Sequence, residues 1–302
     1  MSLQVLMDGL IAGAMIGLGA IGVTLTYSIL RFANFAHGEF IAWGAYFALA
    51  VSGFLGYLLH DLRTPLGPFS FGWSLPIAAL IAVALTAGLA LIVDAVLFGC
   101  LRAKGGAVII LVMASFGAAL TLRNLLEFIF TARPAYYADA LQIALKLGGL
   151  RATPDALLCL VVAAIVVLAV HLLMTRTAIG RAMRAVSENP QLAGVVGVDI
   201  RKTIRIVWIL GAGLASLAGI MAGLIVQIRP TMGLDLLLPL FAAAILGGIG
   251  SAPGALIGGL IVGLAESLTV QLIGAEWRAA VAFVILVAIL MLRPRGLFGR
   301  SE

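Results

Sequence analysis

The chain has 302 residues, of which 63% are apolar and only 11% charged, against roughly 25% charged in a soluble globular domain. That balance excludes an ordinary water-soluble enzyme and points to a membrane protein. The formal charge of +6 is the excess expected of Lys and Arg retained at one membrane surface, and it needs no nucleic acid to explain it.

Apolar stretches near the length that crosses a bilayer core, about 20 residues, recur almost end to end. They fall near 9–30, 39–59, 73–98, 106–130, 155–175, 205–228, 235–250, 253–273 and 278–292. Runs such as Ala156–Val170 and Val281–Leu292 are apolar on every face, whereas the strands of a membrane barrel alternate. The expected fold class is therefore all-α: a polytopic transmembrane helical bundle of eight to ten spans forming one domain over 1–302, with a polar connection at about 176–204. Met1–Gly9 carries no Lys or Arg, and the apolar stretch that follows exceeds a signal-peptide core, so it reads as a retained first span.

Gly9, Gly13 and Gly17 recur four apart in the first span, as do Gly211, Ala215, Gly219 and Gly223 in the sixth. Such stripes let helices pack backbone to backbone. Asn34, Phe35, Ala36, His37, Gly38 and Glu39 precede and open the second span. A carboxylate near a helix N-terminus gains from the dipole, so capping and anchoring at the inner start of that span is the plain reading of His37 and Glu39. Neither a metal site nor a proton relay is expected, because further ligands and ionisable partners are missing nearby. Cys100 and Cys159 likewise have no metal-ligand spacing.

Arg123, Asn124 and Glu127 fall in the outer half of the fourth span. Arg123 and Glu127, four apart, can pair on one helix face. Charges at this depth need partners or water, which leaves two readings open: a polar vestibule for a zwitterionic solute, or a structural ion pair between helices. Asp94, His171 and Glu266, also in or near spans, receive no role. The segment at 235–250 is the weakest span, because Gly247, Gly248, Gly250 and Pro253 interrupt its join to the next. Irregular backbone at membrane depth survives where protein or a water-filled cavity covers it, so this stretch either borders a transport path or makes a tight turn.

Placing 176–204 and the C-terminus in the cytoplasm puts Arg31, Arg102, Lys104, Arg176, Arg181, Arg184, Arg201, Lys202, Arg205, Arg293, Arg295 and Arg300 inside. This satisfies the positive-inside rule with the N-terminus outside. Within the inner segment, Asn189 can cap a helix whose first position is Pro190. The helix should run through Leu192, Ala193 and Val196 and stop at Gly197, which suits a left-handed terminus. Its apolar residues, flanked by Arg181, Arg184, Arg201 and Lys202, would meet either a partner protein or the membrane interface.

The segment from Gly180 to Asp199, GRAMRAVSENPQLAGVVGVD, together with the NFAHGE stretch at 34–39 and the glycine-rich 247–266, resembles the LivH-type permeases of branched-chain amino acid ABC importers over nearly the whole chain. The resemblance implies an ABC-importer permease type of bundle. It also implies a coupling segment, here Gly180, Arg181, Arg184, Ala185, Glu188, Asn189, Pro190, Leu192, Ala193 and Gly197, that inserts a short helix into an ATPase cleft. It further implies a second homologous permease, two ABC ATPase subunits carrying ATP and Mg, and an external substrate-binding protein at a bacterial inner membrane. Similar permeases serve urea, short amides and other amino acids. The chain lacks a GxxxxGK[ST] phosphate loop, so ATP hydrolysis is expected on separate subunits. A stand-alone channel or ion-coupled carrier would need a filter or coupling charges that are scarce here, and no catalytic constellation supports a membrane enzyme.

Overall fold

A computed structural model describes residues 3–138, 142, 144–147, 150–293 and 295–299; Arg300, assigned above to the inner side, lies outside them. The central element is α1 (Leu3–Leu30), whose apolar window is 94% buried within the protein. It can be central because its small residues admit close neighbours. Gly9, Gly13 and Gly17 face Leu264, Leu260 and Leu256 of α11 (Ala252–Leu272), so the two helices run antiparallel. On α11, a Cβ at Gly259 or Gly263 would collide with the backbone of Gly17 or Gly13. In lipid, where apolar burial drives little helix association, such backbone approach is what holds helices together.

Around this pair stand α2 (His37–Leu58), α3 (Ser74–Val93), α5 (Val108–Phe130), α6 (Pro154–Arg176), α9 (Ile200–Ile225), α10 (Met232–Gly247) and α12 (Arg278–Leu292). Among the described residues, eight helices are long and apolar enough to cross a membrane, with α3 extended through a π turn at Asp94–Phe98 into α4 (Gly99–Ala103). The third span was expected to end near 98. It continues because Arg102 reaches back to Asp94, Nη2 to Oδ1 at 2.6 Å, and closes the extra turn. The weak segment expected at 235–250 is α10, whose 16 residues rise about 24 Å and fall short of a bilayer core of about 30 Å.

The connections sort onto two faces. On one, α1 ends at Arg31, whose guanidinium donates to Ser187 O at 2.6 Å at the end of α7 (Ala178–Glu188). The turn between α10 and α11 lies on the same face, because α11 starts beside the end of α1. It is clasped by the chain after α12, with Leu297 N donating to Leu246 O (2.8 Å) and Phe298 N to Gly247 O (3.2 Å). Those two bonds satisfy carbonyls left open at the end of α10. On the opposite face, Gln4 bonds to Arg151 N and O in a small hairpin of β1 (Leu145–Leu147) and β2 (Leu150–Ala152). The Ser70 hydroxyl donates to Asp155 there.

Candidate functional site

Two regions concentrate the residues that the sequence singles out. The first is the polar segment between α6 and α9. Thr177 caps α7 by accepting from Gly180 N at 3.2 Å, and Asn189 caps α8 (Pro190–Val195) by accepting from Leu192 N at 3.0 Å. Pro190 occupies the first helical position, where its missing N–H leaves nothing unsatisfied. Gly197 takes φ +87°, a left-handed turn a residue without Cβ adopts freely, and Asp199 caps α9 through Lys202 N at 2.9 Å. The helix starts and stops where local chemistry said it should. The amphipathic α7 was not foreseen as a separate helix; the apolar spacing of Met183 and Val186, both buried, was the available signal.

Burial divides the coupling residues into two groups. Gly180 and Ala193 are buried, and Arg184 donates to Met174 O, so these hold the segment onto the bundle. A Cβ at Gly180 would run into the backbone of Leu173 and Met174. Arg181, Glu188, Asn189, Pro190 and Gly197 are exposed, with Ala185 half-buried, and α8 and its end present Leu192 (61% exposed), Val195 (83%) and Val196 (69%). Ala193, expected among the docking residues, instead faces inward. The physical cause is a six-residue helix whose return bond, Val198 N to Ala193 O at 2.9 Å, tucks that residue beneath it.

The second region is the start of α2. His37 Nε2 lies 3.3 Å from Gly19 O, eleven residues before the end of α1 and so about 16 Å along its axis from that end. The sequence reading put Asn34, His37 and Glu39 at the inner surface, as caps and anchors. The structure places them deep in the bundle, with Asn34 4%, His37 1% and Glu39 1% exposed. The reason lies in the chain from 31 to 36, which climbs back beside α9 instead of turning at the surface. Phe32 packs on Phe98 (centroids 5.1 Å), which stacks on Trp208 (5.4 Å, 20°), while Phe35 N donates to Ser115 Oγ at 3.1 Å. Asn34 Oδ1 accepts from Ala36 N at 3.1 Å in the turn that leads into α2, and no side chain caps the helix itself. Gly38 meets Gly233 at the start of α10, and a Cβ on either would strike the other's carbonyl oxygen. Two helix N-termini thus face each other at depth.

Arg123 does not pair with Glu127 along α5. Its Nη2 lies 3.3 Å from Glu39 Oε1 across the α2–α5 seam, and Trp43 Nε1 donates to Leu122 O at 3.1 Å beside it. Arg123 and Glu127 are half-buried, while Thr121 and Asn124 are exposed on the same helix. Glu266 is also buried and pairs with Arg278, Oε2 to Nε at 2.6 Å. Gly247 and Gly248 are buried and Gly250 exposed, in the clasped turn described above. A groove of about 500 Å³ between α1, α6 and α11 is lined by Leu160, Val167, Leu256 and other apolar residues, with His171 at its edge, and it offers little to a charged solute. No group of three or more His, Cys, Asp or Glu able to hold a metal occurs among the described residues.

A bundle of membrane-length helices packed through glycines, with a polar helical segment between α6 and α9, defines the chain as a multi-pass membrane protein. Residues 5–290 match the family model described as branched-chain amino acid transport system / permease component, and the chain belongs to that family. It is 31% identical to the high-affinity branched-chain amino acid transport system permease protein BraD of Pseudomonas aeruginosa, over 99% of this chain and 96% of that one. It is 28% identical to the corresponding permease protein LivH of Escherichia coli K12, over the same shares of the two chains. The probable branched-chain amino acid transport permease protein LivH of Methanocaldococcus jannaschii is 29% identical over 98% of this chain and 92% of its own. The expectation of a transport role without catalysis agrees with these relatives, all permease proteins.

Proposed function

We propose that this chain is one of two homologous permeases in an ATP-driven importer that carries branched-chain amino acids across a bacterial inner membrane. An external binding protein delivers the solute, and two ABC ATPase subunits hold ATP and Mg on the side of α8. The observation that carries this reading is α8 itself: three large apolar residues exposed on a capped, rigidly mounted helix, a surface that favours burial in a protein partner over water. ATP-driven closure of the ATPases would displace α8. Arg31, tied to the end of α7, would pass that displacement to α1 and the bundle, which switches between outward and inward openings.

In this arrangement the N-terminus faces outside and the C-terminus the cytoplasm, in keeping with the Lys and Arg gathered on the α8 face. Arg123, Asn124 and Glu127 border the translocation path, and the turn at Gly247, Gly248 and Gly250 lies near its inner end. Urea, short amides and other amino acids are the alternative cargo within the family; the relatives above, branched-chain amino acid permease proteins, favour branched-chain amino acids. Gentle extraction of the tagged chain followed by mass spectrometry tests the assembly. Recovery of a second permease and ABC ATPases supports it, and recovery of the chain alone under conditions that preserve such complexes overturns it.

A further inference from the structure

The ion pair between α2 and α5 has open valences at both ends. Arg123 Nε and Glu39 Oε2 are buried with no hydrogen-bond partner among the described residues, and so is the Tyr46 hydroxyl on the same helix as Glu39. Arg123 spends Nη2 on Glu39 at 3.3 Å, and the Nε–H that shares an edge of the guanidinium with it has no partner among the described residues. A buried charge with unfilled hydrogen-bonding capacity is costly, and three such atoms on one seam point to a polar guest. The seam is reached from the side of Arg123, whose side chain is 18% exposed, while Glu39 sits behind it at 1%. Glu127, one turn further along α5, is half-buried and makes no ion pair among the described residues. Thr121 and Asn124 are exposed beside it, and polar groups at this depth avoid lipid.

We propose that Arg123 and Glu127 form a transient site for the head group of an α-amino acid, in which Arg123 takes the carboxylate, Glu127 takes the ammonium and Glu39 holds Arg123 in position. This rests on the reading of the chain as an amino acid permease in which α5 borders the translocation path. A guanidinium edge with two parallel N–H groups matches a carboxylate in a bidentate fork. Residues four apart on a helix bring Arg123 and Glu127 within about 6 Å of each other, so one small zwitterion can touch both. With both carboxylates ionised, the triad carries one net negative charge, which a simple carboxylate would add to and an ammonium offsets. The site therefore takes zwitterions in preference to anions. The exposed Leu120 and Phe128 of α5 give the branched side chain an apolar surface alongside.

The test uses the complete transporter with its binding protein in proteoliposomes, reading L-leucine taken up per ATP hydrolysed. Glu127→Gln and Arg123→Gln should lower that ratio about tenfold or more, with the amount of assembled complex unchanged for Glu127→Gln. Arg123→Lys should recover part of the loss, because it keeps the charge without the fork. If the pair is purely structural, Glu39→Gln and Arg123→Gln will deplete the assembled complex while Glu127→Gln transports as the wild type does, and the site is overturned. A wild-type complex that hydrolyses ATP without carrying L-leucine overturns the substrate reading and the site built on it together.

Discussion

Asn189 shows how much one side chain can decide. Its Oδ1 accepts from Leu192 N, and it is followed by a proline, so the start of α8 is encoded within four residues. Replacing a cap of this kind with alanine costs about 1 kcal/mol. Asn189→Ala should therefore loosen α8 and weaken ATPase association by several-fold in a pull-down, with the membrane helices still inserted. Exposure decides which neighbour carries the docking surface. Leu192→Asp or Val195→Asp should abolish association outright, because each places a charge on a surface that must be desolvated. Association at the wild-type level in both variants would remove α8 from the interface. Ala193, buried beneath the helix, is the wrong residue for that test, since a bulky replacement would unseat α8 from its own chain. Asn189 and Gly197 were legible in the sequence because capping and left-handed turns are local chemistry. The partner of Arg123 was not legible, since Glu39 is 84 residues away and the i, i+4 alternative within α5 looked as good on paper.

Between elements, the α1–α11 contact is the seam most exposed to single substitutions. Gly259→Leu would drive a side chain into the backbone of Gly17, forcing two helices apart along a length with few other ways to pack. The amount of monodisperse protein recovered in mild detergent should fall sharply, whereas Gly53→Leu, at a position with open space around it, should leave recovery unchanged. Equal recovery of the two would mean that the close approach contributes little. The glycine stripe of α1 was visible from spacing alone; that α11 answers it with Gly259 and Gly263 was not, because spacing marks a face and does not name its partner. The same holds at Gly38 and Gly233. Each looks like an ordinary small residue in sequence, and the structure makes them the crossing point of two helices that begin at depth.

For the whole molecule, the two faces make a topological prediction. In a variant with Cys100 and Cys159 replaced by serine, a cysteine at Thr64 should be labelled by an impermeant maleimide from outside, and one at Gln191 only after the cytoplasmic side is opened. The reverse pattern would invert the proposed orientation. Contacts along α1 and α11 put the start of α1 and the end of α12 on opposite faces, so an odd number of crossings follows only if α10 counts as one. Hydropathy by itself marks eight long helices and leaves that short one undecided.

Composition and hydropathy were enough to determine the class of this protein: a chain 63% apolar and 11% charged must satisfy its backbone within helices, because lipid offers no hydrogen bonds. Short-range signals likewise determined the polar segment, since caps, a proline and a terminal glycine act within one turn of helix. Depth and pairing were decided only by tertiary structure. Whether Asn34–Glu39 lies at the surface or in the middle of the bundle depends on the path of six residues against Phe98, Trp208 and Ser115. Those neighbours come from three other helices, and no pattern in 31–39 encodes their positions.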